Sequence, residues 1–432
     1  METKLERFIR WVREVPQQIY TSLMGKVFDV EVLRTSFRAL AGNKAPGIDG
    51  IRKADYAVGL EGRLADLSAR VRRMGYRPKA VRRTYIPKLN GGRRPIGISS
   101  FEDKIVEDVM SKMMQAIWEP EFRECSYGFR PGRSAHHALR RVDEVIYKQR
   151  TQYVVEADIK GFFNQVNHEH LMRFVEHRIK DPNFLRLIRR FLKAGVMEDG
   201  VYSESEEGTP QGGKISPVLS NIYLHYVLDL WFEKRFVKSC KGKAYLIRYA
   251  DDFIACFEMA EDAERYLAEM QKRLAEFALE IEPSKTRSIQ FGSQMLGKSP
   301  QEQQTFNFLG FTHYVARTKK GGFKVGRKTE SKRFRVKLKA LGQKLRDLRT
   351  KGGNAMVQYA KRSLQGHMQY YGVSENSASL SAYFFHGTRL LFKWLNRRSQ
   401  KRSYNWKQFS ELIKQVKLPR PHIVHSFYAV PT

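Results

Sequence analysis

Three aspartates stand where short side chains are held rigidly and could perform chemistry together. Asp158 ends an apolar run at 153–158, while Asp251 and Asp252 form a tight polar break between two β-rich runs. If these two elements are neighbours in one sheet, Asp158 and Asp251 come close enough to share metal ions. A hard oxygen cluster without cysteines or a histidine set favours Mg²⁺, with Mn²⁺ as a substitute. Two such ions suit an in-line phosphoryl transfer.

An Asp-Asp pair alone is weak support for this chemistry, because aspartate is common in turns for reasons of backbone geometry. The surrounding elements therefore matter. Residues 153–158 are predicted to form a buried strand, and a helix is predicted from about Asn167, a good N-cap. A second helix starts at Ser216-Pro217, and residues 245–257 have the pattern of a hairpin, with a helix after it. This order predicts an α+β domain with helices on one face of a small antiparallel sheet.

Two further patterns flank this region. Residues 85–98 form two short runs around Asn-Gly-Gly, which predicts a hairpin. After about residue 325, apolar residues at steps of four and three on a Lys/Arg-rich stretch predict a helix, and two more are predicted at about 355–370 and 380–395. The last part of the chain is therefore expected to be an all-α basic domain.

Charge is distributed unevenly along the 432 residues. The whole chain has 78 Lys and Arg against 45 Asp and Glu, a formal net charge of +33. From Arg317 onward there are 27 basic and 4 acidic residues, so this last part carries a net +23. Such an excess with interleaved aromatic residues indicates a nucleic acid partner, with an anionic membrane surface as the weaker alternative.

Composition argues against several other classes of protein. No apolar stretch of about 18 residues exists, so no transmembrane helix is expected. The charged N-terminus is unlike a signal peptide. Cys125, Cys240 and Cys256 are far apart, which argues against a zinc site or a disulfide framework and fits a cytoplasmic location.

Seven motifs, in chain order, resemble those of the reverse transcriptases encoded by bacterial group II introns, the intron-encoded maturase family. They are Asn-Lys-Ala-Pro-Gly-Ile-Asp-Gly at 43–50, Ile-Pro-Lys through Gly at 86–97, Ser-Tyr-Gly-Phe-Arg-Pro-Gly-Arg-Ser at 126–134, Ala-Asp-Ile-Lys-Gly-Phe-Phe at 157–163, Gly-Thr-Pro-Gln-Gly-Gly-Lys-Ile-Ser-Pro at 208–217, Tyr-Ala-Asp-Asp at 249–252 and Phe-Asn-Phe-Leu-Gly-Phe at 306–311. One four-residue motif would be weak, but seven collinear motifs are specific.

The resemblance implies a catalytic role for each of the three aspartates. Asp158 and Asp251 would bind two Mg²⁺ ions together with the backbone carbonyl of Ile159. Asp252 would be a more peripheral acid near the primer end.

The resemblance also implies contacts with the incoming nucleotide. Lys88 and Arg94 would meet the triphosphate oxygens from the 85–98 hairpin, unless they are solvated surface charges. Phe163 would clash with a ribose 2′-hydroxyl, so that deoxynucleotides are preferred. Either Phe162 or Phe163 must be a core residue, and strand alternation decides between them only if the strand continues that far.

Three more residues are expected to contact substrate. Gln211, in its Pro-Gln-Gly turn, would support the nascent base pair. Lys285 is a candidate proton donor to pyrophosphate, although a lysine after a Pro-Ser turn is common in any case. Arg130 belongs to the 126–134 block and is expected to bind the template–primer or the nucleotide.

The predicted domains follow a right-hand polymerase. Residues 1–150 would form an N-terminal extension and fingers, and 151–315 the palm, with the reverse transcriptase domain spanning about 43–315. Residues 325–432 would form a helical thumb, or maturase X domain. About 35 residues remain after the thumb-like helices, so no endonuclease domain is expected.

The expected function is an Mg²⁺-dependent RNA-directed DNA polymerase of the group II intron type. Its partners would be an RNA template, a DNA or RNA primer and dNTPs, together with intron RNA if the chain is also a splicing maturase that supports retrohoming. Two alternatives stay open: a free-standing domesticated reverse transcriptase in DNA repair or antiphage defence, and an RNA-binding splicing cofactor without an essential polymerase role. The sequence does not determine the oligomeric state.

Overall fold

The computed structural model describes residues 2–16, 18–87, 91–204, 207–209, 212–299, 301–398 and 403–428. The α-helices of this part of the chain are α1 (Lys4–Glu14), α2 (Met24–Val27), α3 (Val30–Ala39), α4 (Lys53–Ala57), α5 (Leu60–Arg72), α6 (Phe101–Trp118), α7 (Ala135–Asp143), α8 (Phe162–Gln165), α9 (His168–Glu176), α10 (Pro182–Leu192), α11 (Ser216–Leu224), α12 (Ala260–Ala275), α13 (Ser331–Asp347), α14 (Gly353–Tyr371), α15 (Ser377–Leu395) and α16 (Trp406–Gln415). The chain is thus mixed α+β, with a helical C-terminal part.

The strands form three small sheets. They are β1 (Val81–Pro87), β2 (Arg93–Ile98), β3 (Tyr153–Asp158), β4 (Val196–Glu198), β5 (Val201–Ser203), β6 (Ala244–Tyr249), β7 (Asp252–Phe257), β8 (Arg287–Gln290), β9 (Phe306–Phe308), β10 (Phe311–Arg317) and β11 (Phe323–Thr329). The strand orders are β2-β1-β4-β5, β6-β7-β3-β8 and β11-β10-β9. In the first sheet β1 pairs antiparallel with β2 and parallel with β4.

Several local predictions are confirmed. The strand predicted at 153–158 is β3, and the predicted hairpins are β1–β2 and β6–β7. The Asn167 side chain accepts a hydrogen bond from the His170 N–H at 3.0 Å and caps α9 as expected. Proline occupies the first turn of α11, where its missing N–H costs nothing.

The chain divides into two compact units. The first comprises Met1–Ser134, Ala157–Ala255 and Glu261–Arg287. The second comprises Ala135–Glu156, Cys256–Ala260 and Ser288–Thr432. The boundaries predicted at residues 150, 315 and 325 stay predictions.

The core of the first unit is built around α6. This helix packs against α1, α3 and α11, and most of its residues from Phe101 to Trp118 are buried. Glu102 and Asp103 in its first turn complement the positive end of the helix dipole. A helix that is buried nearly all round belongs to the interior and provides a rigid support for its neighbours.

The second unit includes helix α7, the β11-β10-β9 sheet and the four C-terminal helices α13 to α16. The prediction that residues 325–432 are all-α is wrong for the first five residues, because 325–329 belong to strand β11. The helices predicted at about 355–370 and 380–395 are confirmed as α14 and α15. One hydrophobic core cluster of these four helices contains Leu341, Leu345, Met356, Val357, Ala360, Leu391, Leu395 and Phe409.

Within the described residues, no helix is both long enough and apolar enough to cross a membrane.

Candidate active site

The order of the strands brings the three aspartates to one end of a sheet. Asp158 is the last residue of β3, Asp252 is the first residue of β7, and β3 and β7 are neighbours. The Gln152 N–H donates to the Phe257 carbonyl at 2.7 Å, so the start of β3 lies beside the end of β7. The two strands therefore run in opposite directions, and the end of β3 meets the turn that carries Asp251.

The charges of Asp158 and Arg94 both act on the Asp251 carboxyl. Burial raises the pKa of the Asp251 carboxyl above its usual range, and the negative charge of Asp158 raises it further. The positive charges of Arg94 and Arg248 oppose this rise. A half-buried carboxyl group next to a second carboxylate is a site that gains from a cation.

The ammonium group of Lys285 is a cation that contacts the Asp158 carboxylate. Its Nζ lies 2.5 Å from Oδ2 of Asp158, and this hydrogen bond raises the pKa of the Lys285 ammonium, while partial burial opposes the rise. The segment before Lys285 is anchored to the aspartate strand, because the Glu282 N–H donates to the Asp158 carbonyl at 2.8 Å. The Lys160 N–H donates to the Glu280 carbonyl at 2.9 Å. The predicted site residues Asp158 and Lys285 are thus in direct contact.

The carboxylate oxygens of Asp158 and Asp251 are of the donor type that Mg²⁺ uses in proteins. In the described part of the chain, no three His, Cys, Asp or Glu side chains are grouped as a metal site. Mg²⁺ in phosphoryl-transfer sites commonly uses one or two carboxylates, with waters and substrate phosphates as its other ligands. Ile159 forms a bridge with Ile281, and the two flanking hydrogen bonds use the Asp158 carbonyl and the Lys160 N–H. Neither bond uses the Ile159 carbonyl, the third predicted ligand.

The structure separates the roles of the two adjacent phenylalanines. The strand ends at Asp158, and Gly161, with φ +55°, leads into the short helix α8. Phe162 is buried in the core, whereas Phe163 is partly exposed. A cavity of about 190 Å³ lies at Phe163, and its walls are Val81, Arg83, Pro95, Gly97, Phe163, Asn164, Val196, Glu207, Gly208 and Thr209. Phe163, and not Phe162, is therefore the ring that lines this cavity.

The glycine-rich motif at 208–217 packs against the Phe163 segment. The Thr209 N–H donates to the Phe163 carbonyl at 2.7 Å. Gly208 and Gly212 have positive φ, and a side chain at Gly212 would come within 2.5 Å of the Gly97 carbonyl oxygen in β2. Gln211 lies outside the described residues, but Thr209 contacts the Phe163 segment and Gly212 lies against strand β2.

The predicted nucleotide-binding hairpin is described only in part. Arg94 is exposed on β2, opposite Ile86 in β1, while Lys88 lies outside the described residues. Side chains of β1 contact the neighbouring strand β4. The Tyr85 hydroxyl donates a hydrogen bond to Glu198, and Arg83 lies 3.7 Å from the same carboxylate. Arg94 therefore belongs to a four-stranded sheet that is stabilised by side-chain contacts between β1 and β4.

Arg130 has a structural role, and its predicted substrate contact is not supported. Its guanidinium is buried and lies 2.8 Å from the Glu119 carboxylate. It also donates to the carbonyls of Arg123 at 2.7 Å and Ser126 at 2.8 Å. Its described hydrogen bonds are all internal, so Arg130 holds the 126–134 block together.

Arg248 is a residue that the sequence motifs did not single out. It lies within β6, is fully buried and forms an ion pair with the fully buried Asp229. Its Nη1 also donates to the Ala250 carbonyl at 3.0 Å, directly before Asp251. The local signal for this residue is a lone arginine in an otherwise apolar strand.

The second unit contains a broad basic groove between α13 and α15. The groove has a volume of about 960 Å³ and is lined by Arg335, Leu338, Lys339, Gly342, Gln343, Arg346, His386, Arg389, Leu390, Phe392, Lys393, Trp394 and Trp406. Five of these residues are arginine or lysine and none is acidic. Trp406 is half exposed and stacks on Phe392 with ring centroids 3.9 Å apart. The groove combines charge for a phosphate backbone with an aromatic face.

Comparison with known proteins gives one family match over residues 86–313, to the model described as reverse transcriptase (RNA-dependent DNA polymerase). Protein YkfC of Escherichia coli is 31% identical over 346 residues, which cover 73% of this chain and 88% of that protein. The group II intron-encoded protein LtrA of Lactococcus lactis is 36% identical over 232 residues, covering 52% of this chain and 38% of LtrA. A 91 kDa protein in a cob intron of Schizosaccharomyces pombe is 37% identical over 216 residues, covering 50% of this chain and 26% of that protein.

Proposed function

Because the chain belongs to the reverse transcriptase (RNA-dependent DNA polymerase) family, and is similar to group II intron-encoded proteins, we propose that it extends a primer on an RNA template with dNTPs. The observation that carries this proposal is the arrangement of Asp158, Asp251 and Lys285 at the end of the β6-β7-β3-β8 sheet. In this proposal that sheet is the palm, the β1–β2 hairpin belongs to the fingers, and α13 to α16 form the thumb.

The site residues divide the work of nucleotidyl transfer. Asp158, Asp251 and the Ile159 carbonyl would hold two Mg²⁺ ions, with Asp252 near the primer end. When bound, these ions supply Lewis-acid activation of the primer hydroxyl and neutralise charge on the transferring phosphate. Lys285 stays protonated at neutral pH and holds a proton for the leaving pyrophosphate.

Nucleotide selection falls to residues around the cavity at Phe163. Arg94 would orient the triphosphate through charge-assisted hydrogen bonds. The exposed edge of Phe163 would occupy the space that a ribose 2′-hydroxyl needs, so deoxynucleotides would bind in preference. Lys88 and Gln211 remain predicted contacts to the triphosphate and to the nascent base pair.

Primer extension by the purified full chain tests this function. We expect Asp251→Asn to lower extension of a DNA primer on an RNA template by at least about 10³-fold, because the loss of metal and charge stabilisation is severe. Asp66→Asn is the matched control, since Asp66 is an exposed carboxylate in a helix-surface ion pair with Arg70. Extension by Asp251→Asn at a rate close to that of the unaltered chain would overturn the proposal.

A second function, RNA binding in splicing, is favoured by the basic groove between α13 and α15. We propose that this groove binds folded intron RNA, so that the chain acts as a maturase and supports retrohoming. Arg335, Lys339 and Arg389 would contact phosphates, because arginine and lysine neutralise the RNA backbone and release counterions.

Filter binding at several salt concentrations tests the groove. Changing Arg335, Lys339 and Arg389 together to alanine should weaken binding of a structured group II intron RNA and reduce the salt slope by about one for each phosphate that is no longer neutralised. Lys26→Ala, a change of one lysine in the first unit, is the control. Unchanged RNA affinity and an unchanged salt slope in the triple variant would show that the groove does not bind the RNA.

A further inference from the structure

Every N–H group of the Arg248 guanidinium has an acceptor. Nε donates to Asp229 Oδ1 at 2.7 Å, and Nη2 donates to Asp229 Oδ2 at 2.5 Å and to the Ser126 hydroxyl at 2.8 Å. Nη1 donates to Asn221 Oδ1 at 3.1 Å and to the Ala250 carbonyl at 3.0 Å. Arginine has five N–H donors in a rigid fork, so this pocket uses all of them.

The pocket is deeply buried, so its geometry is strongly constrained. Ser126, Asn221, Asp229 and Arg248 are each at most 1% exposed. Burial opposes the charge on Arg248, but Asp229 more than compensates, and the pKa of the guanidinium is raised. A buried ion pair of this kind tolerates little movement, because any unmet hydrogen bond carries a desolvation cost.

The turn held by this pocket has an unusual backbone. Ala250 has φ +57°, the left-handed region that side chains other than glycine rarely adopt. Such a conformation persists only where the surroundings enforce it. Gly128 packs directly against this turn, since a Cβ at Gly128 would lie 2.4 Å from the Ala250 nitrogen. The carbonyl of Gly128 is in turn held by the Asn221 amide at 2.8 Å.

We propose that Arg248 is a positioning residue for the candidate metal site, an inference that rests on the proposed function. By holding the Ala250 carbonyl, Arg248 fixes the peptide that joins Ala250 to Asp251. That peptide sets the direction in which the Asp251 side chain leaves the turn towards Asp158. Gly128 lies against the same turn at the Ala250 nitrogen, so the two residues together hold Asp251 in the orientation that metal binding requires.

Direct metal binding to the full chain tests this role without nucleic acid or catalysis. Free Mn²⁺ would be titrated by electron paramagnetic resonance, and binding lost in Asp251→Asn defines the site. We expect Arg248→Lys to weaken this binding by about 10-fold, in line with losses of residues that orient metal ligands. Lysine keeps the charge beside Asp229 but cannot form the five-bond fork.

Arg178→Lys is the matched control. Arg178 is also a buried arginine of the first unit, but it pairs with Glu121 and donates to the Gln18 carbonyl at 3.0 Å. It should lose stability without losing Mn²⁺ affinity. Raising Mg²⁺ should restore the turnover number of Arg248→Lys in primer extension but not that of Asp251→Asn.

A second variant protects the test against a failure to fold. Gly128→Ala leaves the Arg248–Asp229 pair intact and pushes on the Ala250 nitrogen, so it should weaken Mn²⁺ binding in the same way. A folded Arg248→Lys, or failing that Gly128→Ala, with the Mn²⁺ affinity of the unaltered chain would overturn the inference. Absence of primer extension by the unaltered chain would instead overturn the proposed function, and the Mn²⁺ titration would still decide the role of Arg248.

Discussion

Lys285 and Asp158, 127 positions apart in the chain, form an ion pair with Nζ 2.5 Å from Oδ2. The ammonium group occupies a place on the carboxylate that a metal ion would also need. Metal binding at Asp158 would therefore compete with Lys285 and release its ammonium for another anion. In a polymerase that anion is the leaving pyrophosphate.

Replacement of Lys285 separates these two effects. Lys285→Ala should lower the turnover number for primer extension about 100-fold, within the range for loss of a general acid. The same variant should bind Mn²⁺ at least as tightly as the unaltered chain, because the competing cation is gone. Lys160→Ala, which removes an exposed pair with Glu280, is the control. A turnover number close to that of the unaltered chain would show that Lys285 does not donate the proton.

The two adjacent phenylalanines should respond differently to substitution. Phe163→Ala should raise ribonucleotide incorporation relative to deoxynucleotide incorporation by roughly 10-fold or more, because a steric contact of this size is worth about 1–3 kcal/mol. Phe162→Ala should instead lower the free energy of unfolding by about 3–5 kcal/mol, because it empties a core position. Competition between labelled nucleotides measures the first effect and denaturant unfolding the second. Equal nucleotide selectivity in the unaltered chain and Phe163→Ala would show that Phe163 does not exclude the ribose 2′-hydroxyl.

Arg130→Ala should act on stability and leave substrate binding unchanged. The variant leaves the partly exposed Glu119 carboxylate and the carbonyls of Arg123 and Ser126 without their donor, which should cost about 1–3 kcal/mol. Thermal unfolding measures this loss, while the KM values for dNTP and template–primer should stay as in the unaltered chain at a temperature where both are folded. A raised KM with unchanged stability would restore the substrate contact predicted from the sequence.

Asp103 should make stability depend on pH. Burial raises the pKa of this carboxyl to about 7, although the Tyr76 hydroxyl, which donates to it, opposes the rise. The unfolded chain loses this proton near pH 3.9. Between these values the folded state binds more protons, so the contribution of Asp103 to stability falls as pH rises from about 4 towards 7.

Denaturant unfolding at pH 5 and pH 8 measures this dependence. The unaltered chain should lose more free energy of unfolding between the two values than Asp103→Asn, which cannot ionise. Identical losses in the two proteins would show that Asp103 keeps an ordinary pKa in the folded state. The difference between the proteins removes the contribution of the many other charged groups.

The placement of Asp158, Asp251 and Asp252 at one end of a sheet can be predicted from the sequence because the signals for it are local. Strand β3 and the β6–β7 hairpin each show their pattern within a short window, and the motifs supply their order. Alternation could not decide between Phe162 and Phe163, because the strand ends before them. Arg130 was assigned to substrate because its internal partners cannot be read from the motif itself.

Features that depend on distant partners were not predictable in this way. Arg248 donates hydrogen bonds to Ser126, Asn221 and Asp229, which lie far from it in the chain. Strands β10 and β11 place His313 and Arg327 as buried cross-strand neighbours, and both residues count as polar in any hydrophobic pattern. Arg327 pairs with Asp143, which explains how its charge is tolerated.

The parallel pairing of β1 with β4 also limits the order in which the sheet can fold while the chain is being synthesised. Val81 pairs with Val196, so the hairpin that carries Arg94 has no lateral neighbour until the chain has been synthesised that far. Non-local pairing of this kind is slow to form, because a long loop must close first. The ion pair on Asp158 comes later still, since Lys285 must follow. A translation product that stops after Asp251 and before Lys285 would therefore contain both aspartates without the cation that pairs with Asp158.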